Sequence, residues 1–438
     1  MNFSGIELKY GTTRVKVSMA SENLLGILEP GNHVVLPHKA HAPRSHAVPG
    51  AAHFALTNED AEIERALANP IGSRRLEDLV SPGMKVTIIA SDATRPCPTA
   101  TLLPPLIKRL SNAGIRDQDI TIVFAMGIHR NHSEPEKRRL VGSEVYQRYK
   151  CVDSSEGQDY VYLGTTSYGT PVEIARVVVE ADFLVCTGNI EYHYFAGYSG
   201  GTKAALPGCA SRASVEANHA MQLWPGAESG SYDDNPVRND IEEAGKMVGI
   251  DFILNVVLDE EKRIVKAVAG NPVEAHAAGR QVVDAIYGVT ISQRSDIVLA
   301  SCGGYPKDLD LYQAQKAIEN ASRAVKPGGA IILLAECPEG IGESVFESYI
   351  TGMDLDHILS SIAEKFVLGG HKAAAIARVL KKCSVTLVTC MNRDLVESCK
   401  LFWAPSAQEA LSKAFGELGK CATIWVMPYA GSTVPLPG

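Results

Sequence analysis

The chain has 438 residues, of which 45% are hydrophobic and 21% charged, and its formal net charge at pH 7 is −8. This length is too great for one ordinary core, so we expect two domains. A mildly acidic chain without a basic stripe is not expected to bind nucleic acid.

In the first half of the chain, short apolar runs alternate with segments of helical period, which is typical of parallel strands joined by helices. The predicted strands are 85–90, 120–125, 183–187 and 252–258. The predicted helices are 101–112 and 272–287. The first half therefore belongs to the α/β class.

A second α/β series follows, so we place the domain boundary near residue 290. Its predicted strands are 296–300, 330–334, 385–388 and 422–426, and its predicted helices are 313–325, 372–380 and 406–415. We expect two α/β domains with parallel-type sheets that face one another across a central cleft.

The segment 29–53 is rich in Pro, Gly and His and lacks a hydrophobic period, which indicates an extended connection. Its five histidines are irregularly spaced among prolines, so a solvated loop is favoured over a metal site. The residues concerned are His33, His38, His41, His46 and His53.

The chain shows no long apolar run, and residues 1–17 lack the pattern of a signal peptide, so we expect a cytoplasmic protein without a membrane anchor. The ten cysteines are dispersed without a CxxC pair, which is typical of a reducing compartment.

Ligands of parallel sheets bind at the carboxyl ends of strands, so the turns after the strands are informative. Asp92 and Arg95 follow the first predicted strand, and the guanidinium is suited to binding a carboxylate or phosphate. A local ion pair that only ties the turn is the alternative.

His129 follows the second predicted strand and is a candidate general base. The alternative is that His129 is a structural histidine, and His132 is a competing candidate for the base.

The third turn combines a Ser-Gly-Gly-Thr-Lys loop at 199–203 with His193 before it and His219 after it. Unhindered backbone N–H groups at Ser199, Gly200 and Gly201, beside Lys203, are suited to holding a phosphate-bearing cofactor. The GxxxxGK[ST] spacing of a Walker A loop is absent.

In the fourth turn, Gln313 and Lys316 are neighbours on one helix face. They are candidates for binding a ligand, and the alternative is that this helix face is simply exposed to solvent.

Taken together, these motifs resemble the nickel-dependent lactate racemases and their relatives that act on other 2-hydroxy acids. The resemblance rests on DATRP at 92–96, GIHR at 127–130, the run from His193 through AGYSGGTKAALPG to His219, and GGYPKDLDLYQAQKA at 303–317. It covers nearly the whole chain in order.

The resemblance implies a nickel-pincer nucleotide, which is pyridinium-3,5-bisthiocarboxylic acid mononucleotide carrying nickel, covalently linked to Lys203. It implies His219 as the metal ligand, and His129 and His193 as catalytic acid and base on opposite faces of the substrate. Cofactor maturation proteins are the implied partners. The residues implied to line the cofactor and substrate site are Asp92, Arg95, Tyr312, Gln313 and Lys316.

The family fold implies a first domain of 1–288 that carries the cofactor lysine and both histidines. A second domain of 289–426 is joined to it by a hinge and closes over the site, and a tail of 427–438 returns to the first domain. The implied reaction removes the hydroxyl proton of a 2-hydroxy acid while its C2 hydride passes to the cofactor, and the hydride then returns to the other face. Two bases are needed because the two enantiomers present their hydroxyls on different sides.

One position departs from the lactate-specific pattern. A tryptophan expected in the late helix is replaced by Gly369-Gly370-His371-Lys372, so we expect His371 to make the substrate pocket more polar and suited to a dicarboxylic or sugar-derived hydroxy acid.

Two other functions compete with this interpretation. An NAD-dependent hydroxy-acid dehydrogenase would use similar chemistry, but the GxGxxG motif after the first strand is missing. A non-catalytic nickel-binding or cofactor-binding protein is the other alternative, and it has no need for a pair of proton-carrying histidines.

Overall fold

The computed structural model describes residues 3–30, 33–35, 58–259 and 261–437. Most of the predicted His-rich connection at 29–53 lies outside these residues. Along the described chain, no helix is both long and apolar enough to cross a membrane.

The strands are, in chain order, β1 (Phe3–Tyr10), β2 (Thr13–Ala20), β3 (Leu24–Glu29), β4 (His33–Val35), β5 (Val86–Ser91), β6 (Ile120–Ala125), β7 (Lys150–Asp153), β8 (Tyr160–Thr165), β9 (Pro171–Ala175), β10 (Phe183–Asn189), β11 (Tyr192–His193), β12 (Gly197–Tyr198), β13 (Phe252–Leu258), β14 (Ile264–Gly270), β15 (Gly288–Ile291), β16 (Ser295–Ser301), β17 (Val325–Leu334), β18 (Ser384–Val388), β19 (Phe402–Ala404), β20 (Ile424–Met427) and β21 (Val434–Pro437).

The α-helices are α1 (Glu59–Ala68), α2 (Thr99–Asn112), α3 (Glu134–Val141), α4 (Ser143–Arg148), α5 (Arg176–Val179), α6 (Arg212–Ala220), α7 (Pro236–Val248), α8 (Glu274–Tyr287), α9 (Leu311–Ala324), α10 (Ser344–Gly352), α11 (Leu355–Glu364), α12 (Gly370–Leu380), α13 (Arg393–Ser398) and α14 (Ala407–Leu418).

The chain divides into two compact units. The central unit comprises 54–283, and the terminal unit combines 1–53 with 284–438. Each unit is built around its own parallel-type sheet, as the alternation of strands and helices predicts.

The central unit contains a six-stranded sheet in the order β14-β13-β10-β5-β6-β7, which is parallel except for the β13–β14 pair. Strands β10 and β13 are buried at every position, which explains why they are continuous apolar runs without alternation. Helix α2 packs on the sheet through Leu102, Leu106 and Leu110, and its apolar side chains join those of the strands in one core.

The terminal unit contains a seven-stranded sheet in the order β19-β18-β17-β16-β20-β3-β4. Strand β3 pairs in parallel with β20, so the N-terminal strands belong to the sheet of the C-terminal half. The predicted first domain of 1–288 is therefore wrong at its N-terminus. Pairing between segments so far apart in sequence leaves no local signal in either of them.

The C-terminal tail also differs from its predicted position. Strand β21 pairs in parallel with β15, at the start of the C-terminal half, and the tail belongs to the terminal unit. The prediction that 427–438 returns to the first domain is therefore wrong. Both strands of this pair lie within the terminal unit.

Candidate active site

Three neighbouring strands of the central sheet end at one cavity. Strands β10, β5 and β6 lie side by side, and the turns that follow them form much of the cavity wall together with helix α6. This is the carboxyl edge, where ligands of parallel sheets bind. The predicted site residues that line the cavity are Asp92, Arg95, His129, Ser199, Gly200, Lys203 and His219.

Asp92 and His129 form a hydrogen-bonded pair in this wall. His129 Nδ1 donates to Asp92 Oδ2 at 2.5 Å. Thr94 donates to Asp92 Oδ1 through its backbone N–H at 2.8 Å and its hydroxyl at 2.6 Å. Burial would raise the pKa of Asp92, but these hydrogen bonds outweigh it and lower the pKa to about 2. The carboxylate therefore stays ionised behind the imidazole, and proton exchange with a substrate falls to Nε2 of His129.

Arg95 lies in the same turn after β5, and its side chain is exposed. Its backbone N–H donates to the carbonyl oxygen of Asp92 at 3.2 Å, whereas the Asp92 carboxylate accepts hydrogen bonds from His129 and Thr94. The turn is therefore held by the hydrogen bonds of Asp92 to His129 and Thr94, and not by an Asp92–Arg95 ion pair. The guanidinium lines the cavity and is suited to a carboxylate or phosphate.

The competitor His132 has a structural role. Its Nδ1 donates to Asp153 Oδ1 at 2.8 Å, and its Nε2 accepts the backbone N–H of Ala93 at 3.0 Å. Its side chain is only 3% exposed. Both ring nitrogens are therefore used to hold the turn that carries Asp92.

Lys203 lies in a single-turn 3-10 helix at the edge of the cavity and is 8% exposed. Burial lowers the pKa of its amine well below the ordinary value of 10.5. The guanidinium groups of Arg95 and Arg238 lower that pKa further, and nearby carboxylates oppose them. A lowered pKa makes a buried amine more available as a nucleophile, so Lys203 is suited to a covalent bond with a cofactor.

The glycine loop before Lys203 shapes the cavity, but two of its backbone N–H groups donate to other parts of the central unit. Gly201 N–H donates to Asn255 Oδ1 at 2.7 Å, and Ser199 N–H donates to the carbonyl oxygen of Glu191 at 2.9 Å. The prediction of unhindered N–H groups is therefore wrong for Ser199 and Gly201. The φ of +76° at Gly200 favours glycine, and a Cβ there would lie 2.9 Å from Asn255 Oδ1.

His219 lies near the end of helix α6 and is 9% exposed. Its Nδ1 donates to Asn218 Oδ1 at 3.0 Å, and its ring meets the edge of Phe195 with centroids 4.9 Å apart. Among the described residues, no group of three or more His, Cys, Asp or Glu side chains is arranged to hold a metal ion.

His193 lies on β11 and does not belong to the residues that line the cavity. Its Nδ1 accepts the backbone N–H of Ala196 at 3.2 Å. Its ring packs edge-on against Phe195 with centroids 4.5 Å apart, and Phe195 in turn contacts His219. One aromatic ring thus connects His193 to the cavity wall.

Comparisons with known proteins identify the family. The family model of the lactate racemase N-terminal domain matches residues 48–230, and that of the lactate racemase C-terminal domain matches residues 290–434. The chain is 34% identical to the lactate racemase of Thermoanaerobacterium thermosaccharolyticum, an alignment that covers 98% of this chain and 99% of the relative. It is 33% identical to the lactate racemase of Lactiplantibacillus plantarum, over 85% of this chain and 89% of that relative.

The chain belongs to the lactate racemase family. The structure of the lactate racemase apoprotein from T. thermosaccharolyticum superimposes with a TM-score of 0.83 at 32% identity, covering 99% of this chain and all of that one. A crystal structure of a protein from Thermotoga maritima gives a TM-score of 0.59 at 18% identity over 86% of this chain and 98% of that one, which supports the fold alone. The predicted family, the α/β fold and the isomerase class are confirmed. The dehydrogenase and the non-catalytic binding protein are set aside.

The lactate racemase resemblance also assigned residues of the terminal unit to the site. Gln313 and Lys316 are exposed on helix α9. The Lys372 ammonium donates to the carbonyl oxygen of Tyr312 at 2.7 Å and lies 3.7 Å from the centre of its ring. Burial lowers the pKa of Lys372 to about 8, and the charge of Lys316 adds to this effect. The sequence analysis missed Lys372, although it follows His371 directly.

His371 is buried inside the terminal unit, with 6% of its surface exposed. Its Nδ1 accepts the backbone N–H of Gly369 at 3.0 Å. Burial, helped by the charge of Lys372, lowers the pKa of His371 to about 3, so the ring is uncharged at neutral pH. This geometry gives no support to a substrate contact by His371.

A buried arginine beneath the glycine loop was also missed. Arg238, on helix α7, is fully buried and donates to the carbonyl oxygens of Tyr198 and Gly200, each at 3.3 Å. It pairs with Glu242 at 2.6 Å. The spacing of four between Arg238 and Glu242 is a sequence signal, but such pairs usually lie on the helix surface. Arg238 therefore anchors the loop that carries Lys203.

Proposed function

We propose that this chain is a racemase or epimerase that inverts C2 of a 2-hydroxy acid, using a nickel-pincer nucleotide attached to Lys203. One observation carries the proposal: the buried amine of Lys203, whose pKa is lowered, and the Asp92-bound imidazole of His129 line the same cavity. The first group is suited to covalent attachment of a cofactor, and the second is suited to moving a proton.

The residues present fit this cofactor. Lys203 Nζ, whose pKa is lowered by burial, would join a thiocarboxylic acid arm as a thioamide with loss of water, which keeps the sulfur, and His219 would offer an imidazole ligand, which nickel accepts together with sulfur. When bound, the nickel-pincer nucleotide supplies the acceptor and donor of the C2 hydride. The proposal includes the cofactor maturation proteins as partners and the cytoplasm as the compartment.

Within the chain, His129 takes the hydroxyl proton of one enantiomer at Nε2, and Asp92 stabilises the imidazolium that forms. Because the pKa of Asp92 is about 2, this carboxylate is ionised throughout the neutral range. His193 serves the other enantiomer, and its packing on Phe195, beside His219, supports that role. Two proton carriers are required because inversion moves the hydroxyl from one side to the other.

The substrate carboxylate is held by cationic side chains. Arg95 is exposed in the cavity wall, where its planar guanidinium is suited to a bidentate bond. Gln313 and Lys316, whose side chains are exposed on α9, are the further proposed substrate contacts. Tyr312 is proposed to contact the cofactor.

Chiral chromatography of single enantiomers tests the proposal. Cofactor-loaded protein is incubated with a panel of 2-hydroxy acids, and at least one acid should be converted to its opposite configuration without net formation of 2-keto acid. Lys326→Ala, which removes an exposed lysine of the terminal unit, is the matched control and should retain the activity of its loaded fraction, whereas Lys203→Ala should lose it. Net oxidation with NAD would contradict the proposal, and so would an unchanged panel on protein that carries the Lys203 adduct.

A further inference from the structure

A chain of buried polar groups continues behind His219, away from the cavity. Asn218 Nδ2 donates to Asp240 Oδ2 at 2.7 Å and to the carbonyl oxygen of Val237 at 3.1 Å. Asn218 and Asp240 are both fully buried. Helix α6 carries the histidine and the amide, and helix α7 carries the carboxylate.

Asp240 is held in place by donors alone. Thr166 donates to its Oδ1 through the hydroxyl at 2.5 Å, and Thr170 donates to its Oδ2 at 2.8 Å. The backbone N–H of Thr170 also donates to the Thr166 hydroxyl at 3.1 Å, which points that hydroxyl hydrogen toward the carboxylate. Asp240 is therefore an acceptor with a fixed position and no freedom to reverse its role.

This arrangement fixes the orientation of the Asn218 amide. Both partners of its nitrogen, Asp240 and the Val237 carbonyl, are acceptors, so a flipped amide would place oxygen against oxygen. The amide oxygen must then face His219 Nδ1, 3.0 Å away. Because an amide oxygen only accepts, the proton of the neutral imidazole lies on Nδ1 and the lone pair lies on Nε2.

We propose that Asp240 and Asn218 are positioning residues that fix the tautomer and ring plane of His219, so that Nε2 is the metal-binding atom. This inference rests on the proposed function, because it takes His219 as the nickel ligand. A histidine ligand commonly donates its other ring N–H to a fixed partner, and loss of such a partner typically weakens metal binding by about 10- to 100-fold. Here the partner is an amide, which is itself oriented by a buried carboxylate.

The tautomer is measured directly on cofactor-free, full-length protein labelled with 15N-histidine. Long-range 1H–15N spectra report which ring nitrogen carries the proton, and His219→Gln identifies the signal. Wild-type His219 should be protonated on Nδ1. Asn218→Leu, which keeps the approximate volume but removes the acceptor, should shift the signal to a mixture of tautomers.

Nickel retention is the second measurement, made on protein loaded with the cofactor and challenged with a chelator. Asn218→Leu should lose nickel about 10- to 100-fold faster than wild type while the organic adduct stays on Lys203. Asp240→Asn keeps a partner for Asn218 and should give a smaller loss. Asn320→Leu, which removes a buried asparagine of the terminal unit, is the matched control and should change neither measurement.

Thr170→Val removes one donor to Asp240 and serves if Asn218→Leu does not fold; it should give a partial shift of the His219 tautomer. A wild-type His219 protonated on Nε2 would overturn the inference, and so would an unchanged tautomer in Asn218→Leu. The tautomer could shift as expected while nickel retention is unaffected even by His219→Ala. That result would refute His219 as the metal ligand in the proposed function, and Asp240 and Asn218 would then have no role in metal binding.

Discussion

Replacing Asp92 with asparagine gives a sharp test of the pair that orients His129. In the folded protein the pKa of Asp92 is about 2, compared with an ordinary value of 3.8. That difference corresponds to about 2 kcal/mol of preference for the ionised carboxylate. Asp92→Asn removes the charge, so we expect it to lower the free energy of unfolding at pH 7 by about 2 kcal/mol.

The effect should depend on pH in a defined direction. Because folding lowers the pKa, the stabilisation by Asp92 is complete above about pH 4 and is lost as the pH falls toward 2. The difference between wild type and Asp92→Asn should therefore shrink as the pH falls below about 4. Thr94→Val keeps the carboxylate and its bond to His129, so it should retain much of this pH dependence.

Urea unfolding followed by tryptophan fluorescence makes the measurement. Trp224 is the one tryptophan in the sequence of 54–283, so replacing Trp403 and Trp425 with phenylalanine leaves a reporter specific to the central unit. A difference between wild type and Asp92→Asn that stays constant down to pH 3 would refute the reasoning. In the loaded enzyme, the same substitution should also lower the inversion rate by about 10²- to 10⁴-fold, because His129 loses its orienting anion.

Three further predictions concern individual site residues. The pKa of Lys203 is lowered, so its amine should lose its proton at a pH where exposed lysines are still protonated. Carbamylation of Lys203 by cyanate, measured by peptide mass spectrometry across pH, should therefore have a midpoint well below pH 10.5. A midpoint near 10.5 would contradict the lowered pKa. His219→Ala should reduce nickel content, measured by elemental analysis, while intact mass still shows the organic adduct on Lys203; undiminished nickel would mean that another group supplies the ligand. His129→Ala and His193→Ala should each abolish steady racemisation. In single-turnover experiments, each of these two variants should accept a different enantiomer, whereas His132→Ala should accept both. A shared preference of the first two variants for one enantiomer would disprove the division of work by face.

Much of the core was predictable from the sequence. Strands at 120–125 and 252–258 were predicted with the bounds that the structure shows, because central strands of a parallel sheet are continuous apolar runs with sharp ends. The helices α2 and α9 were predicted within two residues, since each places an apolar stripe toward its sheet.

The errors in the predicted strands and domain bounds lie mainly in the N-terminal and C-terminal segments of the chain. Strands β1 to β4 and β21 escaped the analysis, and with them the correct division of the chain. Strand β3 pairs with β20 and β21 pairs with β15, which are partners far away in sequence. The pairs β1–β2 and β3–β4 are local, and the analysis overlooked them. Part of this region, 36–57, lies outside the described residues.

For the site, the turns at the strand ends identified the residues of the cavity wall, because topology dictates where those turns meet. The groups that orient them were not predictable. Thr94, Asn218 and Arg238 act through hydrogen bonds made after folding, and neither period nor motif marks such bonds. The glycine loop was misjudged for the same reason, since Asn255, which accepts the Gly201 N–H, lies on a different strand.

The path of the C2 hydrogen tests the central claim most directly. Loaded enzyme is given one enantiomer of a substrate 2-hydroxy acid deuterated at C2, in ordinary water, and the opposite enantiomer is analysed by mass spectrometry after chiral separation. Transfer of the hydrogen to the cofactor and back, with His129 and His193 moving only the hydroxyl proton, predicts that the inverted product keeps its deuterium. Inverted product that carries solvent hydrogen at C2 would show that the histidines remove the C2 hydrogen as a proton, and would contradict the account.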